Sequence, residues 1–182
     1  MFWGIAQRIF REEVITMSEG AKIPGHSVHP ILIIFPLGLL STSVVFDIVY
    51  LVSERDTFEL VAFWMVVSGV ITGAAAAFFG WIDWFAIPAT IRAKSVGLIH
   101  GGLVASVLLI FATRLYFRYS AVSQTSTLAI GFSIVGAALA LIGGWFGGEL
   151  VERLGLSVHP GAHLDAPNSL TGPVNGRKPV GK

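Results

Sequence analysis

The chain has 182 residues, of which 54% are hydrophobic and only 13% charged, with a net charge of +1 and a mean hydropathy of +0.76. A water-soluble globule carries about 25% charged residues, so this chain is not solvated on all sides, and its small net charge excludes a nucleic-acid partner. It has no cysteine, which excludes disulfides, iron–sulfur clusters, thiolate zinc sites and c-type haem attachment.

The first residues, "MFWGIAQRIFREEVITMSEG", lack the apolar core and cleavage site of a signal peptide. Phe2, Ala6, Ile9, Phe10 and Val14 instead recur at helical spacing opposite Gln7, Arg8, Arg11 and Glu12. Residues 1–22 are therefore expected to form an amphipathic helix lying in the membrane interface, with Trp3 at headgroup level.

Four stretches then supply the ~20 apolar residues that a membrane span needs. They run over about 30–52, 58–81, 95–115 and 128–150, within a membrane domain of residues 23–156. The connections between them are short or moderate, which favours antiparallel neighbours. The expected fold is all-α: an integral membrane four-helix up-down bundle. Residues 157–182 are rich in Pro, Gly and Asn and read as an extended or disordered cytoplasmic tail.

Small residues recur every four positions in two of the spans. Gly69, Gly73 and Ala77 do so in the second, and Gly136, Ala140, Gly144 and Gly148 in the fourth. In lipid such stripes allow close backbone approach, either inside one chain or between copies.

In the first span, Pro30 suits a helix start because its missing N–H has no partner there in any case. Pro36 removes the hydrogen bond to the Leu32 carbonyl and predicts a kink. Asp47 lies about 27 Å along the helix from His29 at a rise of about 1.5 Å per residue. It therefore falls at the opposite interface, where Arg114 or Arg118 is its expected partner.

In an up-down bundle most of the twelve Lys and Arg residues collect on the face holding both chain ends. The positive-inside rule makes that face cytoplasmic. All five histidines, His26, His29, His100, His159 and His163, fall on the same face. His29 and His100 are the best-placed pair, and Gly101 and Gly102 leave room beside the second ring.

Three functional readings follow. A b-type haem is held by His29 and His100 from different helices. Alternatively a divalent metal is bound by His29, His100 and a third ligand from His26, Glu149 or His159. Or the site is a proton relay or polar ligand pocket, since ionisable groups in membranes default to function. Against all three stand a non-catalytic scaffold or accessory subunit, in which the histidines cap helices and satisfy loop backbone, and an oligomeric small-solute or ion pathway, in which the Gly136–Gly148 stripe is an intersubunit face. Asp83, set between Trp81 and Trp84, needs a partner, for which Arg92 or a histidine is expected. No catalytic residue set stands out. The partners this allows are the lipid bilayer, a second copy of the chain, or a redox protein.

Several motifs occur together and in order: "GHSVHP" from Gly25, Gly80 with Asp83, His100, and "GGEL" from Gly147 to Leu150. Over residues 23–172 the chain resembles the bacterial four-helix membrane family catalogued as domain of unknown function 2231. It departs from the family pattern at Ser27, where proline is usual, and near Glu152–Leu154, where a histidine is common. The resemblance implies a four-helix fold in the inner membrane. Some relatives are fused to Rieske-type domains, which implies a link to electron transfer. The cysteine-free chain carries no such domain itself.

Overall fold

The structure is a computed structural model. It describes residues 20–23, 26–120, 127–159 and 162–167. The expected surface helix falls almost wholly outside these residues, as does the end of the tail.

A two-stranded antiparallel hairpin leads in, with β1 (Lys22–Ile23) pairing Lys22 with Ser27 and Ile23 with His26 of β2 (His26–Ser27). The first helix, α1 (Val28–Leu32), follows directly. It starts two residues before Pro30, with Ser27 in extended conformation as its cap. All first-turn N–H groups lack intrahelical partners, so proline is accommodated at its third position as readily as at its first. The chain breaks at Ile33 and resumes as α2 (Ile34–Ser53). This is the interruption that Pro36 predicts: it has no N–H to give the Leu32 carbonyl, and the ladder restarts with Leu37 donating to Ile33.

Glu54 takes the left-handed conformation that ends α2 (φ 53°). Helix α3 (Asp56–Ala86) begins two residues later, with Asp56 and Glu59 in its first turn, where acidic side chains favour a helix N-terminus. It is 31 residues long and passes through Trp81 and Trp84 before stopping short of Pro88, because the residue before a proline avoids helical backbone. Helices α4 (Arg92–Ser120) and α5 (Thr127–Gly148) complete the bundle. A π-helical turn, Glu149–Arg153, extends the last of them to Gly155 (φ 68°).

Four spans result: Val28–Ser53, Asp56–Ala86, Arg92–Phe117 and Leu128–Arg153. Each exceeds the length needed to cross the hydrocarbon core. Their outward surface is apolar, with Val52, Leu141 and Trp145 each more than three-quarters exposed. Such a surface is stable against lipid and costly in water.

Packing is organised as two helical hairpins. The first span packs most closely on α3, and α4 on α5. Contacts of α3 with α4 and of α2 with α5 close the ring, so the first and third spans are diagonal. The buried centre is Leu40, Val66, Val107 and Phe111. Two glycines make it possible. A Cβ on Gly69 would stand 2.6 Å from Leu40, and one on Gly136 2.7 Å from Phe111. Both separations are too short for real carbon atoms, so a side chain from the partner helix occupies the vacated volume.

The fourth-span stripe divides. Gly136 and Gly147 face partner side chains, Gly143 is buried, and Gly144 and Gly148 face open space. Steps of four residues drift off a helix face that turns every 3.6. The packed face therefore alternates fours and threes, through Gly136, Ala140, Gly143 and Gly147.

Candidate histidine site between the two helical hairpins

His29 sits in the first turn of α1, and its ring reaches across to α3. Its Nδ1 lies 2.8 Å from the carbonyl oxygen of Ala76. One turn on, Gly80 has no side chain. A Cβ there would lie 3.0 Å from the imidazole, tighter than ordinary contact. His100 on α4 repeats the arrangement against α5. Its Nδ1 lies 2.9 Å from the Gly143 carbonyl oxygen, and a Cβ on Gly147 would lie 3.1 Å from the ring. Both rings are half-buried.

A carbonyl oxygen only accepts, so each Nδ1 carries a proton, and the Nε2 is the nitrogen that the backbone leaves for another partner. The two rings then meet edge to face, with centroids 6.3 Å apart and planes at 82°. Diagonal helices thus deliver two imidazoles to one place, each with its tautomer set by backbone of the facing helix. Open space surrounds this end of the bundle at Gly101, Gly102, Gly144 and Gly148, where an added Cβ meets nothing within 4 Å.

The other expected site residues are arranged differently. Glu149 turns to arginine: Arg92 Nη2 is 2.8 Å from its Oε1 and Arg153 Nε 3.5 Å from its Oε2. Arg92 is therefore not the partner of Asp83, and of the two expected partners it is the histidine that is near, since His29 lies within electrostatic reach of that carboxylate. That carboxylate accepts the backbone N–H of Ala21 at 2.9 Å and so ties the entry hairpin to α3. His26 lies exposed on β2, and His159 is exposed beyond the π turn. Among the described residues, no three His, Asp or Glu side chains gather where they could hold a metal ion.

The loop after α3 is fixed by Lys94. Its ammonium donates to the Trp84 carbonyl at 2.7 Å and stands 3.8 Å from the centre of the Trp84 ring, whose Nε1 donates back to the Lys94 carbonyl. A second polar centre lies at the far end of the bundle. Asp47, buried, is paired with Arg114 at 2.5 Å and accepts the Ser133 hydroxyl at 3.0 Å. Arg114 is one of the two partners expected for Asp47, whereas Ser133 carries no signal in the sequence. Nor do Gly80, Gly147, or the carbonyls of Ala76 and Gly143 stand out as parts of the histidine site. The repeated glycines are the available clue.

The chain matches the family model described as "Predicted membrane protein (DUF2231)" over residues 25–160. It belongs to that family. The matched stretch of this DUF2231 chain runs from the residue before His26 to the residue after His159. It holds all four spans, the histidine pair and the Asp47 centre. No curated protein and no solved structure matches it.

Proposed function

We propose that this DUF2231 protein is a small electron-transfer-associated subunit of the bacterial inner membrane, whose His29 and His100 hold a b-type haem at the cytoplasmic face. The observation that carries the reading is the matched state of the two rings. Both Nδ1 atoms are held by backbone carbonyls, which leaves both Nε2 atoms for a ligand. A backbone acceptor on the second nitrogen is the usual support for a metal-binding imidazole. The ring centres are 6.3 Å apart, which brings both imidazoles within reach of one ligand.

Haem fits better than a bare divalent ion. Two nitrogens are half of a tetrahedral set, and no third His, Asp or Glu joins them among the described residues. A porphyrin brings its own four nitrogens and needs only the two axial positions. When bound, it supplies one-electron redox chemistry. The protein's part is to fix the imidazoles, exclude water and set the local polarity. The cytoplasmic placement rests on the collection of Lys and Arg at the histidine end.

The second reading is a scaffold. The same two hydrogen bonds tie each histidine helix to its hairpin partner and satisfy the rings without any ligand. Visible spectra of the detergent-purified protein, oxidised and reduced, separate the two. The haem reading expects a Soret band that His29→Ala and His100→Ala each abolish. A folded, colourless, metal-free preparation from cells supplied with iron and haem precursor would leave the scaffold. Orientation is read separately. Because the chain has no cysteine, Ser95→Cys and Ser53→Cys report opposite faces to an impermeant maleimide. Labelling of Ser95→Cys in intact cells would reverse the proposed topology.

A further inference from the structure

The two helical hairpins correspond at five pairs of positions. His29 matches His100 and Leu40 matches Phe111, with the same number of residues between them. Gly69 matches Gly136, Ala76 matches Gly143, and Gly80 matches Gly147, again at equal spacing. The correspondence extends to contacts. Leu40 fills the space over Gly69 as Phe111 does over Gly136. His29 bonds the Ala76 carbonyl as His100 bonds that of Gly143. The imidazoles lie against Gly80 and Gly147 in turn. Equivalent residues of two repeats can touch only near the axis that relates them, and His29 touches His100. The histidine pair therefore lies on a pseudo-two-fold axis of the bundle.

We propose that Gly80 and Gly147 are the positioning residues of this site, one bare helix surface per hairpin, on which the imidazoles lie so that both Nε2 atoms address a single ligand on the axis. The inference rests on the ligand-binding reading above and deepens it. The geometry leaves each ring two constraints. The carbonyl one turn before the glycine holds Nδ1, and the missing Cβ lets the ring lie against the helix. A methyl group at either glycine would stand 3.0–3.1 Å from ring atoms. The ring would have to lift, and with it the bond to the carbonyl. Other glycines at this end, such as Gly101 and Gly144, face open space and have no such role.

The test uses the full chain, labelled with 15N-histidine, in detergent micelles, without and with added haem. In the wild type both rings are expected as Nδ1–H tautomers. Gly80→Ala is expected to disturb the His29 signals alone, and Gly147→Ala the His100 signals alone. Gly144→Ala should change neither. On haem titration each positioning variant should weaken binding roughly 10–100-fold, the range for loss of support behind a metal ligand. The low-spin electron paramagnetic resonance signal, which reports the angle between axial rings, should shift as well.

The two ideas fail separately. A wild type that takes up no haem but shows the predicted one-to-one tautomer response removes the haem and keeps the positioning role. Haem binding that survives both alanine variants, with unchanged tautomers, removes the positioning role and keeps the haem. If neither variant folds, the wild-type spectrum decides: an Nε2–H tautomer at either ring overturns the proposal, and Nδ1–H at both supports it.

Discussion

Asp47 and Arg114 join the two helical hairpins at the end of the bundle opposite the histidines. Asp47 belongs to α2 and Arg114 to α4, on diagonal helices, and both are almost fully buried. Ser133 of α5 completes the group by donating to the second carboxylate oxygen. Removing one member strands the other charge away from water. Asp47→Ala should therefore destabilise the fold by about 3–5 kcal/mol. Ser133→Ala removes a hydrogen bond to a charged group and should cost about 1.5–3 kcal/mol. Asp47→Leu combined with Arg114→Met should recover most of the loss, because no charge is then buried. Denaturant unfolding in detergent measures all three. A double variant as unstable as Asp47→Ala alone would refute this account.

Gly69 and Gly136 carry the central packing. Gly69→Ala would push a methyl group into Leu40, and Gly136→Ala would push one into Phe111. Overpacking of this kind costs about 1–3 kcal/mol. Gly131→Ala, on the same helix as Gly136 but with open space around it, should be neutral or slightly stabilising, since alanine is the better helix former. Equal effects at Gly131 and Gly136 would show that the close approach is not what matters.

The Arg92–Glu149 pair should contribute little. The arginine side chain is 65% exposed, and exposed ion pairs are worth about 0–1 kcal/mol and weaken with salt. Arg92→Ala should leave unfolding within that range at physiological ionic strength. A larger loss would mean that Glu149 needs its cation for more than surface pairing.

Asp83 holds the entry to the bundle through the Ala21 N–H, and a Cβ on Gly20 would collide with its carboxylate. Asp83→Ala should speed hydrogen exchange of the Ala21 amide selectively. The amides of α3 around Ala76 should keep their protection. Unchanged exchange at Ala21 would mean that the strand pairing alone holds this segment.

Much of this was legible in the sequence because the bilayer restricts what a chain can do. Only helices and closed barrels satisfy their backbone in lipid, and continuous apolar stretches of ~20 residues suit helices and not barrel strands, so the four stretches determined the all-α bundle. Pro36 marked the break in the first span, and the place of Asp47 along its helix marked the end of the bundle where Arg114 lies. The histidines at one end picked out His29 and His100.

Only the tertiary structure decided how the pair is built. Hydrogen bonds to the Ala76 and Gly143 carbonyls leave no trace in side-chain type, since every residue has a carbonyl. The choice between Gly143 and Gly144, or Gly147 and Gly148, depends on helix rotation, which a four-residue stripe does not specify. Glu149 had arginines within reach as well as histidines, and the π turn that follows α5 gave it to Arg92 and Arg153. The equivalence of the two hairpins, though present in the spacing of a few residues, became visible only through contacts. Lipid-facing positions accept almost any apolar side chain, so few residues besides those that touch across the bundle recur in both halves.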